Sequence, residues 1–231
     1  MEKKTLSQEG LKLIACAAML LDHIGMTLLP WPWLRIVGRI AFPIYCFLLA
    51  EGVRHTRSSL CYGIRLAIAA VLSEFPFDFL LYGRMTMAVQ SVMVTLLLGF
   101  LALELAGKTD CVFCKFLIAA PFVAAAELLH TDYGAQGVLM ILLFGFSVKY
   151  EVNLWKTALA LMILGLAFPS WPVTFFGITL PIEIFCVFSV IPIALYRGRK
   201  ASRSKVIQWS FYLFYPVHLL ILGILFRWRL I

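Results

Sequence analysis

The chain has 231 residues, 62% of them hydrophobic and 14% charged, with a formal net charge of +8 and a mean hydropathy of +0.94. A soluble domain is nearer half apolar, so the composition excludes a soluble enzyme or binding module and points to a polytopic membrane protein. At roughly 20 apolar residues per helical crossing, this length with short loops supports about nine spans and no separate soluble domain.

The first apolar run, Leu11 to Leu29, follows the charged head Glu2-Lys3-Lys4 and leads into Pro30-Trp31-Pro32-Trp33. It has no small-residue cleavage site and reads as a retained first span. In chain order the predicted spans cover residues 11–29, 34–53, 62–82, 87–107, 113–130, 135–149, 154–168, 174–196 and 206–227. The sixth and seventh are short, as tilted, broken or partly inserted spans are. Connections are brief, so sequence neighbours are expected to pair as helical hairpins. The expected fold is all-α, a polytopic transmembrane helical bundle forming one integral-membrane domain over 1–231.

Placing the N-terminus in the cytoplasm puts most of the 20 basic residues on cytoplasmic ends: Lys3, Lys4, Lys12, Arg54, Arg57, Arg65, Lys108, Lys115, Lys149, Lys156, Arg197, Arg199, Lys200, Arg203 and Lys205. Arg35, Arg39, Arg84, Arg227 and Arg229 fall on the other side. This bias predicts a cytoplasmic N-terminus and, with an odd number of spans, an outer C-terminus. The basic residues sit at helix ends and form no block with interleaved aromatics, which argues against nucleic acid. Cys111-x-x-Cys114 has the spacing of a redox or metal pair, but zinc needs four ligands and no second pair stands near, so no metal is expected.

Charges inside the spans carry the functional signal, because a lipid-facing charge costs about 2.5–3.5 kcal/mol at a helix centre by insertion scales. With a rise of about 1.5 Å per residue, Asp22-His23, Arg35, Arg39, Glu74, Asp78 and Gln90 all fall in the outer half of the bilayer. Glu127, His130 and Asp132 close span five on that side. Glu183 and His218 lie nearer the middle of spans eight and nine. Arg35 and Arg39 share a helix face, as do Glu74 and Asp78, and the two faces are expected to neutralise one another. Pro43 and Pro76 bend the helices that carry them.

The plain alternative is that these ions only glue helices together. For His23, whose ordinary pKa suits proton transfer, the alternative is a buried imidazole bonded to a backbone carbonyl. At the cytoplasmic surface Lys12, Glu51, Arg54 and Arg57, with Arg65 and the 197–205 loop, are expected to form a basic mouth for phosphates. Ordinary topology signalling or contact with anionic lipid is the competing account.

Several motifs resemble the TraX family. They are Leu21-Asp22-His23-Ile24-Gly25, Leu34-Arg35-x-x-Gly38-Arg39-x-Ala41-Phe42-Pro43, Leu49-Ala50-Glu51-Gly52-x-Arg54-His55-Thr56-Arg57, Ser73-Glu74-x-Pro76-Phe77-Asp78, Thr95–Gly99, Tyr133-Gly134-x-x-Gly137 and Phe214-Tyr215-Pro216-x-His218. The resemblance covers almost the whole chain and is densest in the first 100 residues. It implies acetylation of a pilin N-terminus, and kinship with integral-membrane acyltransferases of the acyltransferase-3 group. Those carry a basic residue, ten residues, then His in an early span. Lys12 and His23 match that spacing, with Lys where Arg is usual.

The implied co-substrate is acetyl-CoA from the cytoplasm, its phosphates at Lys12, Arg54 and Arg57. The implied acceptor is a protein, peptide or glycan at the outer face. His23 is then the base or transient acyl carrier, with Asp22 orienting it. Arg35 and Arg39 stabilise oxyanion charge, and Glu74, Asp78, Gln90, Glu183 and His218 are candidates for holding the acceptor. A small proton-coupled secondary transporter is the competing activity, since intramembrane Asp, Glu and His serve proton relays, although no inverted repeat is visible. A non-catalytic membrane assembly factor is the third reading.

Overall fold

The computed structural model describes residues 6–147, 153–175, 177–196, 198 and 205–229. The basic residues Lys3, Lys4, Lys149, Arg197, Arg199, Lys200 and Arg203 lie outside the described residues. The protein is an all-α bundle, apart from one short β-hairpin among the described residues. Among the described residues, three helices are long and apolar enough to cross a membrane: Gln8–Thr27, Pro32–His55 taken as one, and Trp209–Trp228. Shorter apolar helices accompany them, as expected of a membrane protein. The chain divides into two compact units, residues 1–48 with 152–214 and residues 49–151 with 215–231.

In the first unit, α1 (Gln8–Thr27) starts at Ser7, whose hydroxyl oxygen accepts the Gly10 N–H at 3.1 Å. This satisfies one of the donors a helix start leaves open. Pro30 and Pro32 prevent continuation, and Pro32 instead opens α2 (Pro32–Gly38), where its missing N–H costs nothing. The expected continuous second span is interrupted. After α2 the chain turns at Arg39-Ile40, and α3 (Ala41–His55) begins beyond it. The physical cause is Pro43. It has no N–H to offer the Arg39 carbonyl four residues back, so the helix breaks at the residue bearing the guanidinium.

Further on in the same unit come α8 (Leu154–Ala167) and, where a continuous eighth span over 174–196 was expected, a composite. A hairpin of β1 (Pro172–Phe175) and β2 (Ile178–Pro181) leads into a 3-10 helix, Ile182–Ser189, and then α9 (Val190–Ala194). Pro169, Pro172 and Pro181 remove helical donors from this stretch, and Gly177 takes φ +81 at the hairpin tip. Leu6 pairs with Tyr196 in an isolated bridge, its N–H reaching the Leu195 carbonyl at 2.9 Å. The start of α1 and the end of α9 therefore lie at one level.

Close packing here depends on small residues. A Cβ on Gly25 would lie 2.8 Å from Leu34 Cβ, so α1 and α2 approach nearly backbone to backbone. At Gly165 of α8 a Cβ would lie 2.7 Å from the Glu183 carbonyl oxygen, which lets the 3-10 helix settle onto α8.

The second unit holds α4 (Ser59–Tyr82), α5 (Val92–Ala106), α6 (Val112–Leu128), α7 (Gly134–Ser147) and the C-terminal half of α10 (Lys205–Arg229). Ser58 caps α4 by accepting the Cys61 N–H, and Gly83 at φ +73 closes it in the left-handed conformation. α5 packs against α4, α6 and α7. It starts at residue 92, not near 87, because residues 84–91 form a loop. Gln90 donates its N–H to the His130 carbonyl and accepts the Asp132 N–H, which puts the start of α5 level with the end of α6. Arg227 reaches the Phe79 carbonyl at 3.4 Å, so the ends of α4 and α10 are likewise level.

Candidate functional site

Four charged side chains meet in the first unit. Arg39 sits at the turn after α2. One of its terminal nitrogens donates to Glu183 Oε1 at 2.7 Å and the other to Asp22 Oδ2. Arg35, one helical turn earlier, places Nε 3.6 Å from Asp22 Oδ1. Two guanidiniums and two carboxylates balance in charge. Asp22, Arg39 and Glu183 are each at most 8% exposed. Burying ions in this way is tolerable only when partners offset the loss of water.

The helix break at Arg39 brings the guanidinium between α1 and the 3-10 helix. Gly38 makes room: a Cβ there would lie 2.6 Å from Asp22 Oδ1. Arg39 thus bridges two acids. The outer oxygens, Asp22 Oδ1 and Glu183 Oε2, are buried and accept no hydrogen bond among the described residues. Arg35 at 3.6 Å is an ion-pair partner of Asp22 but too far for a direct hydrogen bond. Acceptor capacity on Asp22 Oδ1 therefore faces the Arg35 guanidinium.

His23 adjoins the cluster. Its Nδ1 lies 2.9 Å from the Met19 carbonyl, which can only accept, so Nδ1 carries a proton. Thr27 donates its hydroxyl to the His23 carbonyl at 2.7 Å. Asp22, Arg39 and Arg35 all lie within electrostatic reach of the imidazole. The bond to a carbonyl is the one foreseen for a plain buried histidine. It also fixes ring orientation and tautomer, which a general base needs. Beside the 3-10 helix, an open depression of about 450 Å³ is lined by Phe168, Ser170, Pro172, Thr179 and Leu180. Glu183 donates its N–H to Ser170 Oγ at 3.5 Å, so the depression borders the acid-bearing turn.

The pairing expected between Arg35/Arg39 and Glu74/Asp78 is replaced. Asp22 and Glu183 supply the carboxylates to Arg39. Glu74 and Asp78 serve the 84–91 loop in the second unit. Asp78, fully buried, accepts the N–H groups of Thr86 and Met87, both at 2.8 Å, and Met87 takes φ +52. Glu74 accepts the Ser91 hydroxyl at 2.6 Å and its N–H at 3.1 Å. A loop without its own ladder leaves backbone donors that must find acceptors, and two acids one turn apart on α4 provide them. Gln90 donates its side-chain amide to the Met87 carbonyl at 2.9 Å. His218 is buried, edge-on to the Tyr215 ring at 5.7 Å. Glu127 accepts the Ala135 N–H at the start of α7.

Of the residues foreseen at the basic mouth, Lys12 lies over the Phe211 ring at 5.1 Å. Glu51 pairs with Arg54 at 3.4 Å and with His55 at 3.6 Å, while Arg57 is exposed. Sequence reasoning missed Gly38, Ser91 and Thr86. Ser91 was the most visible, a serine directly before an apolar helix. Gly38 stands inside the Arg35–Arg39 motif but was not connected with Asp22.

The family described as TraX protein matches residues 7–226. A probable fimbrial assembly protein FimC, serogroup H1, of Dichelobacter nodosus is 30% identical over 237 residues, covering 92% of each chain. An uncharacterised protein of Rickettsia prowazekii (strain Madrid E) is 28% identical over 189 residues, covering 80% of this chain and 71% of that one. No solved structure matches the chain.

Proposed function

The chain belongs to the TraX family, and from that premise we propose that it is an acetyltransferase of the bacterial cytoplasmic membrane. It crosses the bilayer several times with its N-terminus in the cytoplasm. It takes an acetyl group from cytoplasmic acetyl-CoA and passes it to an amine or hydroxyl presented at the outer side. The name of the Dichelobacter relative favours a fimbrial subunit as acceptor. The observation that carries the reading is an oriented imidazole, His23, next to a charge-balanced buried cluster in which two arginines share Asp22.

Lys12 and His23 stand on one unbroken helix, α1. Eleven residues at about 100° each bring them to nearly the same face, roughly 16 Å apart along the axis. Lys12 meets a phosphate of acetyl-CoA at the cytoplasmic end, and the thioester extends along α1 towards His23. The acceptor approaches by the depression beside Ser170, and the outer oxygens of Asp22 and Glu183 accept its N–H or O–H groups.

His23 Nε2 removes a proton from the acceptor. The freed lone pair attacks the thioester carbonyl carbon, and Arg35 stabilises the oxygen that becomes negative. The tetrahedral adduct collapses, the C–S bond breaks, and the departing thiolate takes the proton from His23. The products are the acetylated acceptor and CoA thiol.

The test is purified protein in nanodiscs with labelled acetyl-CoA and a fimbrial N-terminal peptide. Acceptor-dependent thiol release with label on the peptide is the expected result. Substrate flux in liposomes without acetyl-CoA, together with no transfer to any amine or hydroxyl, overturns the proposal in favour of transport.

A further inference from the structure

The α5–α6 connection of the second unit carries chemistry that acyl transfer does not use. Cys111 is the cap residue of α6, and its Sγ accepts the Cys114 N–H at 3.5 Å. Cys111 is exposed and Cys114 half-buried, whereas Cys16, Cys46 and Cys186 are buried. Cys61, exposed on α4, has no second cysteine at this spacing. The Cys114 N–H, followed by the Cys114 thiol, holds the Cys111 thiol below its ordinary value. A thiolate at a helix start, one turn from a second thiol, is the arrangement that favours exchange with disulfides.

We propose that Cys111 and Cys114 form a redox-active dithiol that reduces low-molecular-weight disulfides. The Cys111 thiolate attacks one sulfur of the disulfide, forming a mixed disulfide and releasing the first thiolate, which takes up a proton. Cys114 gives up its proton and attacks Cys111 Sγ, releasing the second thiol and closing a Cys111–Cys114 bond. The protein loses two electrons and the disulfide gains them. Cys111 begins the exchange because it is the more exposed thiol and its Sγ accepts the Cys114 N–H. Cys114 resolves it because it stands one helical turn on, with its own N–H bonded to Cys111 Sγ. This dithiol stands apart from the acyl-transfer reading and survives that reading's failure.

The experiment uses the full chain in nanodiscs, reduced, then exposed to oxidised glutathione. Remaining thiols are trapped with a maleimide and mapped by mass spectrometry. Residues 111 and 114 are expected to lose reactivity together and to recover on reduction. Cys111 should react roughly tenfold or more faster than the exposed Cys61. In Cys114→Ser, glutathione should stay attached to Cys111, and in Cys111→Ser the fast phase should vanish. Equal rates at Cys111 and Cys61 overturn the proposal, as does a lasting glutathione adduct on Cys111 in the unaltered chain.

Discussion

Arg39 and Glu183 are 144 residues apart in sequence, yet they share a buried 2.7 Å ion pair. That bond joins the break between α2 and α3 to the 3-10 helix that replaces the middle of the expected eighth span. Both departures from regular helix are prepared by prolines, and both end on a charge. The irregular backbone therefore serves the ion cluster, in keeping with its tolerance at membrane depth only where protein or a cavity satisfies it.

Removing the arginine alone takes the ion pair from Glu183 and leaves Asp22 with Arg35 at 3.6 Å. Arg39→Gln should destabilise the protein by about 3–5 kcal/mol, the usual cost of breaking a buried pair from one side. Glu183→Gln, which keeps a hydrogen-bond acceptor for Arg39, should cost less. Thermal unfolding in detergent, followed by size-exclusion chromatography, gives the ranking. Equal stability of Arg39→Gln and the unaltered chain contradicts the account.

His23→Ala should keep expression and membrane insertion, since Ala favours the helix and the lost ring bond is to a carbonyl of that same helix. Acetyl transfer should fall by about 10²–10⁴-fold, the usual contribution of a positioned base. Transfer from labelled acetyl-CoA is the readout. Turnover like that of the parent removes His23 from the chemistry.

Gly38→Ala tests the close approach of α2 to Asp22. The added methyl would lie 2.7 Å from Asp22 Cγ, so the carboxylate must move off Arg39. A loss of about 1–3 kcal/mol is expected from overpacking, with acetyl transfer reduced alongside. Gly177→Ala, where a Cβ meets nothing within 4 Å, is the control that carries backbone strain alone.

Asp78→Asn tests the anchoring of the 84–91 loop. The neutral amide keeps one acceptor oxygen but weakens the bonds to the Thr86 and Met87 N–H groups. Hydrogen exchange at those two amides should accelerate by roughly tenfold, matching about 1.5 kcal/mol of lost charge-assisted bonding. Unchanged exchange at both positions means that the loop is held by something else.

Cys111 alkylation should report its lowered thiol pKa. A group that favours the thiolate gains reactivity at lower pH, so the midpoint for iodoacetamide should fall below the ordinary value of about 9. In Cys114→Ala the backbone N–H remains while the thiol donor is lost. The midpoint should therefore rise part of the way back, and no rise means that the Cys114 thiol gives no such support.

The sequence alone determined the class of fold and the members of the cluster. Helices follow from apolar runs of spanning length, and a buried charge draws notice because its cost in hydrocarbon depends on residue type, not on neighbours. Asp22, His23, Arg35, Arg39 and Glu183 could therefore be nominated before any contact was known. Tertiary structure decided which acid meets which arginine. Helical spacing puts Glu74 and Asp78 on one face, but it does not reveal that backbone donors of the 84–91 loop would claim them. Nor does hydropathy distinguish a continuous span from a hairpin with a 3-10 turn, since both are equally apolar. The choice fell to prolines that remove donors and to glycines that admit a neighbouring backbone, and these act only once the elements have packed.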